Sequence, residues 1–389
     1  MANPLSNIFQ SLELKKIFAK KETSAVALDF GISSVKVVQL RKERGKAVLE
    51  TYGELSTGPY GGFSVGQSTN LSVAKLAELT GDLLKEANIT SKNAAISIPL
   101  RSSLIVSVEI PQMDEEKLAE VVPIEARKYV PVPISEVVLD WWVLPTNSQL
   151  SAPLGENDEG VVKGQEEKKK ETTYGKKMEV LIAAIHKDTI KQYQEVCQKV
   201  GLEVDTFEIE TFSEIRSVMP NDLSATAILD IGAGTSKIAV VDYGIVRLSH
   251  TIDKGSQDIT VSISKSLSVP FAKAEEIKRK IGLTREQSGN DLSDIISPTV
   301  EYIFAEANKV MLNYQKEHRR AIDKIILVGS GSLLKGVAEI GKEETGVPVA
   351  LGLPFDKVEA PVFLSNILKE AGPAFAVSLG LALRKLEEI

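Results

Sequence analysis

Cysteine occurs once in the 389 residues, at Cys197, so neither an internal disulfide nor a cysteine-cluster zinc site can form. Histidine occurs three times, at His186, His250 and His318, too scattered for a multi-histidine metal centre. No apolar run approaches the ~18–20 residues that cross a bilayer. The opening MANPLSNIFQSLELKK carries acidic and polar residues where a signal peptide needs an apolar stretch. There is no long block of Lys and Arg either. The 46 basic and 53 acidic side chains leave a net charge of −7, which argues against a generic nucleic-acid binder. What is present is ordinary for a globular chain: 43% hydrophobic and 25% charged residues. The length suits roughly two to four domains. The expectation is a cytosolic, multidomain protein.

The first residues stand apart. Leu5, Ile8, Phe9 and Leu12 share a helical face and are followed by Lys15, Lys16, Lys20 and Lys21, as on a helix lying against an acidic membrane. Leu14, Ile17 and Phe18 leave that face, which favours a loosely ordered leader or a helix docked on a partner. Segment 146–177 has almost no large apolar residues, and its six acidic and six basic side chains cancel, so it is read as a disordered loop between two strands. Elsewhere strands and helices alternate. Helices are expected over Val73–Glu86, over 114–129 with Asp114 as N-cap and Pro123 as a kink or late start, and from 188 to Gly201. Further helices are expected near 271–281, 298–318, 333–344 and at the C-terminus. Cys197 is read as a buried thiol in its helix.

The strongest internal signal is a repeat. SAVALDFGISSVKVVQL (24–40) and ATAILDIGAGTSKIAVVDY (225–243) are each an apolar strand ending in Asp, then an apolar residue, Gly, a small polar turn and a second strand. Each copy opens one half of the chain, so two lobes facing each other across a cleft are expected. Gly31, Gly232 and Gly234 let the backbone approach a ligand closely. Successive N–H groups in such turns make anion nests, and Ser33, Ser34, Thr235 and Ser236 add hydroxyls. Asp29 and Asp230 would repel phosphate but suit a magnesium ion bridging it. A single copy would read as a plain hairpin; two in register point to phosphate. IILVGSGSLLKGV (325–337) adds a strand and a turn low in side chains, with space for a base or ribose. In AKAEEIKRKIG (272–282), Glu275 and Lys278 share a face with Arg279 adjacent, either to meet a nucleoside or as an exposed ion pair.

This order of two phosphate hairpins, a Glu-x-x-Lys helix and a glycine-rich turn resembles the actin-like ATPase superfamily from Ser24 to Ile389. Within it, IEARKYVPVPISEVVLDWWVL (124–144) is similar to the signature of the PilM family of type IV pilus assembly ATPases. FEIETFSEIRS (207–217) resembles that family's D-V-E-x-F-A-x-x-R helix, with Glu208 for Asp and Ser213 for Ala, and GSQDIT (255–260) its G-G-N-D-[IL]-T turn. FtsA shares the layout but carries a C-terminal membrane helix; ending on ALRKLEEI favours the PilM family. The fold implied is α/β: an actin-like (ribonuclease H-like) two-lobed ATPase with a small α+β domain inserted in the first lobe. Implied boundaries are a leader over 1–23, subdomain 1A over 24–95 with returns at 201–224 and 360–389, inserted subdomain 1C over 96–200, 2A over 225–260 and 320–359, and 2B over 261–319.

The resemblance implies ATP and Mg as ligands. Asp29 and Asp230 would hold the magnesium shell and Glu210 would orient the attacking water. Gly232, Ala233, Gly234 and Thr235 would cradle the outer phosphates opposite Gly31, Ser33, Ser34 and Lys36. Gly255, Glu275, Lys278, Arg279, Gly329, Ser330 and Gly331 would frame the nucleoside. Ile32 stands where the superfamily commonly has Thr or Ser, so one phosphate contact is lost and hydrolysis is expected to be slow. The implied role is a cytoplasmic, membrane-peripheral component of pilus assembly that grips the cytosolic N-terminal tail of PilN, with nucleotide as a conformational clamp. The rivals are an FtsA-like filament protein that self-associates and, remotely, a small-molecule kinase. In Tyr129-Val130-Pro131-Val132-Pro133 the prolines either wall a peptide groove, with Val130, Val132 and Trp141 or Trp142 as anchors, or simply steer the chain. Core filling is expected for both tryptophans.

Overall fold

The computed structural model describes residues 23–145, 177–220, 222–283 and 291–389. The leader and the expected loop over 146–177, its last residue excepted, lie outside the described residues. The chain opens with strands β1 (Ser24–Phe30), β2 (Ser34–Glu43) and β3 (Lys46–Ser56), helix α1 (Val73–Glu86) and strand β4 (Asn93–Ile98). The inserted unit follows as β5 (Ser103–Pro111), α2 (Glu115–Ala126), β6 (Val137–Leu144) and β7 (Lys177–His186). Helix α3 (Lys187–Lys199), β8 (Glu203–Ile209) and α4 (Glu210–Val218) return to the first lobe. The second lobe runs β9 (Thr226–Ile231), β10 (Ser236–Asp242), β11 (Ile245–Ile252), α5 (Ser256–Leu267), α6 (Phe271–Ile281), α7 (Asp291–His318), β12 (Lys324–Val328), α8 (Val337–Thr345) and β13 (Val349–Leu351). Helices α9 (Ser365–Ala371) and α10 (Ala376–Glu387) close the chain.

The two large sheets repeat one plan: β3-β2-β1-β4-β8 in the first lobe and β11-β10-β9-β12-β13 in the second. In each, an antiparallel hairpin pairs on its first strand with a parallel strand. The registers match residue for residue. Asp29 faces Lys36 across the first hairpin, and Asp230 faces Lys237 across the second. This is the structural form of the sequence repeat.

Strand alternation divides the first sheet between two cores. Val26, Leu28, Val35, Val37 and Ile96 pack under α1 and α3, while Ala25, Ala27, Val38, Leu40 and Ala95 face α10. Helix α1 starts where Ser72 accepts the Lys75 N–H, and Leu76, Leu79 and Leu83 face inward at helical spacing. Cys197 is buried beneath the same sheet, as read from sequence, and burial pushes its thiol up to about 12.

Several expectations are corrected. The sheet and cores divide the chain differently from the implied boundaries. Ile96 and Ile98 belong to the first sheet, and Tyr193, Val196 and Cys197 of α3 pack under it, so the inserted unit with its own sheet β5-β7-β6 lies between them. Phe355 packs with Tyr52 and Phe375, so the return to the first lobe begins before residue 360. Helix α2 starts at Glu115 on its Asp114 cap and runs through Pro123, so the late start does not occur. Trp141 packs on the inserted unit's core, but Trp142 is 44% exposed and tilts against Phe212 of α4, so core filling fails for one of the pair. Val130 is itself in that core and is not a groove anchor. Strand β3, helix α5 and helix α9 were not foreseen.

Candidate functional site

Where the lobes meet, a cavity of about 660 Å³ opens between the two hairpin turns, a size that suits a nucleotide. Gly31, Ser33, Ser34 and Lys36 line it from the first lobe, and Gly232, Ala233, Gly234 and Thr235 from the second. The turns have the same shape. A Cβ on Gly31 would meet the Ser34 carbonyl oxygen at 2.8 Å, and one on Gly232 the Thr235 oxygen at 2.7 Å. Thr57 Oγ1 and the Thr69 N–H both donate to the Ile32 carbonyl, at 2.7 and 3.0 Å, which fixes the first turn.

On the far side, β12 delivers Gly329, Ser330 and Gly331 to the cavity, and α6 delivers Glu275, Lys278 and Arg279. The Glu275–Lys278 pair is buried, at 2.7 Å with both side chains 10% exposed, so it is not the exposed helical pair that was one of the two readings. Thr260 donates to Glu275 at 2.7 Å and Lys278 donates to Thr260 at 2.9 Å. Burial alone would raise the Glu275 carboxyl, but the charge and hydrogen bond of Lys278, with Arg279 and Thr260, hold it below its ordinary value. Gly255 does not line the cavity; it caps α5 beneath the second turn, where a Cβ would strike the Ala233 carbonyl at 2.5 Å. Its neighbour Ser256 lines the cavity instead.

The acidic residues divide unevenly. Asp29 accepts from Ser97 at 2.8 Å. Asp230 instead forms a 2.7 Å ion pair with Lys237, whose ammonium also donates to Glu210 at 2.8 Å. The other Glu210 oxygen accepts the Leu100 N–H at 2.6 Å. Glu214, one helical turn further along α4, brings a third carboxylate within 4.8 Å of those of Glu210 and Asp230. Burial first, which lowers it, then the opposing Asp230, Glu210 and Glu214 charges govern Lys237, and the carboxylates win: its ammonium titrates well above the ordinary lysine value. Burial raises Glu210, with Lys237 opposing.

The cavity fits a nucleotide: bare glycine turns, hydroxyls and lysines surround it. The expected ion on Asp230 does not fit. Lys237 already occupies the carboxylate, and a dication beside an ammonium at about 4 Å is repelled by several kcal/mol even in a screened interior.

Glu214 yields a pH prediction. One of its oxygens is buried without a hydrogen-bond partner. Burial, then Asp230, with Lys237 opposing and Glu210 adding, lifts it well above 4.5. A raised carboxyl favours the folded state fully below 4.5, and that contribution fades as pH rises toward the folded value. Glu214→Gln avoids the loss. It should melt a few degrees above the unsubstituted chain at about pH 8 and level with it at about pH 4. Thermal melts at both values check this; a pH-independent difference would refute it.

Sequence reasoning missed Lys237, Glu214, Arg101, the 373–377 wall and the loop tip Val65–Gly66, all of which line the cavity. That loop crosses the cleft: Ser68 N–H donates to Gln257 of α5 at 2.6 Å. Lys237 was findable, because it occupies the same place in the second repeat as Lys36 in the first.

Two lobes of one sheet order, each opening on an Asp-x-Gly hairpin across a shared cavity, define an actin-like ATPase fold. Residues 27–154 and 166–386 match the family described as "Type IV pilus assembly protein PilM", and the chain belongs to that family. It is similar in structure to the "PilM-PilN type IV pilus biogenesis complex", with TM-score 0.74 and 24% identity over 93% of this chain and 98% of that one. MreB5 of Spiroplasma citri bound to AMPPNP matches with TM-score 0.51 and 11% identity, over 95% of this chain and 98% of that one. Among curated relatives, the cell division protein FtsA of Pseudomonas aeruginosa is 24% identical over 88% of this chain and 87% of its own length. With FtsA of Helicobacter pylori (strain J99) the match is 24% over 54% of this chain and spans about half of that relative, 48%.

Proposed function

We propose that the chain binds ATP between its lobes as a conformational clamp, and in that form grips the cytosolic N-terminal tail of a PilN-like membrane protein in type IV pilus assembly. The reading rests on one observation: the cavity is walled by two matched glycine turns, one from each lobe. Bound there, ATP would supply a polyphosphate that both turns can hold at once. Gly31, Ser33, Ser34 and Lys36 would bind it from one lobe, and Gly232, Ala233, Gly234 and Thr235 from the other. Affinity for a ligand that touches both lobes is necessarily higher in the closed arrangement, and that difference drives the clamp. Glu275, Lys278, Arg279 and the Gly329–Gly331 turn would orient the nucleoside. The MreB5 likeness, with its bound AMPPNP, supports this. Both Glu210 oxygens are engaged, by Leu100 and Lys237, so a water-orienting role is poorly served and hydrolysis should be slow.

Among the described residues no helix is long and apolar enough to cross a membrane. A place in the cytoplasm at the inner face of the membrane follows from the PilN-like partner and from nothing in the fold. For the tail we favour strand β6, an edge of the inserted sheet. Among the described residues its outer edge pairs with no strand and can accept an added one, and Val138, Trp142 and Val143 are exposed beside it.

Calorimetry with ATP tests the clamp, and capture of a PilN-like tail peptide tests the partner. Val138→Asp with Trp142→Ala should reduce peptide binding at least about tenfold, as loss of an aromatic anchor does, and leave ATP binding unchanged. Peptide binding that survives moves the tail elsewhere; absence of ATP binding removes the clamp. The FtsA likeness keeps a second reading, a self-associating filament protein, which sedimentation with ATP would reveal.

A further inference from the structure

The two hairpin lysines hold equivalent positions and make different contacts. Lys36, opposite Asp29, turns away from it: its ammonium donates to Ser34 at 3.0 Å and lies 3.5 Å from Glu54. Lys237, opposite Asp230, turns inward, to Asp230 at 2.7 Å and Glu210 at 2.8 Å, with its side chain 16% exposed. The carboxylates it reaches, with Glu214, are the described acidic groups placed closely enough to share one metal ion. The ammonium therefore stands within a ready-made divalent-ion cage. The second turn is closed to an ion by its own lysine, while Asp29 in the first accepts from Ser97 and, among the described residues, from no cationic group.

We propose that Lys237 is a built-in cation that replaces a divalent ion on Asp230, Glu210 and Glu214, so that the cleft binds nucleoside polyphosphate with little dependence on a divalent metal at that cluster. The part that concerns nucleotide rests on the ATP reading above; the part that concerns the ion does not. The buried Asp230 and Glu210 carboxylates need positive charge beside them, and burying charge without a partner is costly. A tethered ammonium meets that need permanently, with no ion to bind or lose.

The test uses the full chain and two measurements. First, manganese(II) is titrated into the nucleotide-free protein and followed by electron paramagnetic resonance, in the unsubstituted chain, in Lys237→Ser and in Glu214→Gln. Lys237→Ser should acquire a tight site and melt at a higher temperature with manganese. The unsubstituted chain should show neither. Second, a fluorescent ATP analogue is titrated with magnesium and with EDTA. The unsubstituted chain should change affinity by less than about threefold, and Lys237→Ser by more than about tenfold, within the range of coupling between two ligands.

Manganese bound tightly by the unsubstituted chain and lost in Glu214→Gln would overturn the proposal, even if Lys237→Ser fails to fold. So would nucleotide binding by the unsubstituted chain that disappears in EDTA. If no nucleotide binds under any condition, the ATP reading fails, and the manganese titration alone still decides the role of Lys237.

Discussion

Gly329→Ala should weaken ATP binding by about 100-fold, or about 2.8 kcal/mol at 1.4 kcal/mol per factor of ten. Two independent obstacles meet at this residue. Its φ is +81°, in the left-handed region that a side chain disfavours. A Cβ would also lie 1.9 Å from an Asp230 carboxylate oxygen and 2.7 Å from the Ile231 carbonyl. The backbone cannot yield easily, because the Gly329 N–H is tied to the Pro373 carbonyl at 2.8 Å. The Asp230 carboxylate would have to leave, and with it the 2.7 Å contact to Lys237. Gly346 is the control. It too has positive φ, +68°, at the end of α8, but a Cβ there meets nothing within 4 Å. Gly346→Ala should carry backbone strain of about 1 kcal/mol and leave ATP affinity alone. Calorimetry on both variants, with melts to show that each is folded, checks the pair. Equal affinities would remove the Gly329 turn from the nucleotide face.

Much of this site was legible because its elements are short and repeat. Asp29, Gly31, Asp230 and Gly232 announce themselves by sitting in two copies of one pattern, and the copies do form matched hairpins. The Glu275–Lys278 spacing was legible too, but its burial was not. That depends on Thr260 from α5, a helix the sequence hid behind mixed Ser, Asp and Thr residues. Glu214 was invisible for a similar reason. On paper it is one of many surface-type acids, and only the packing of α4 against α10, with Gly380 set against the Ser213 carbonyl, turns that face inward. Strand β3 was lost among charges, since KAVLETYGELS has only one fully buried position, Leu49. Edge strands with one wet side give weak periodic signals. The inserted unit's limits were misjudged because α3, which follows β7 directly, packs on the other side of the boundary.

Glu208→Gln should cost about 3 kcal/mol at neutral pH, the lower end expected when one partner of a buried ion pair is removed. The lower end applies because the guanidinium groups left behind, on Arg216 and Arg384, are 29% and 39% exposed and can rehydrate. Glu208 stands at the junction of three elements. It is the penultimate residue of β8, receives two hydrogen bonds from Arg216 of α4 at 2.7 and 2.8 Å, and one from Arg384 of α10 at 2.7 Å. Burial alone would raise its carboxyl, but Arg216 first, then Ser213 and Arg384, hold it below the ordinary value. A lowered carboxyl stabilises the fold above 4.5 and loses that contribution as pH falls through its folded value. The gap between the unsubstituted chain and Glu208→Gln should therefore close in acid, which denaturant titrations at about pH 7 and about pH 3 would show. A gap that stays constant would assign the loss to shape and not to charge. Both departures from the family's helix pattern meet here: Glu208 for Asp, and Ser213 for Ala, whose hydroxyl donates to that same carboxylate. A carboxylate one methylene longer reaches further toward α4, and the hydroxyl that serine adds to alanine's methyl group satisfies it there. Ser213→Ala should thus destabilise the chain when Glu208 is present and have almost no effect in Glu208→Gln, the non-additivity expected of two residues in contact.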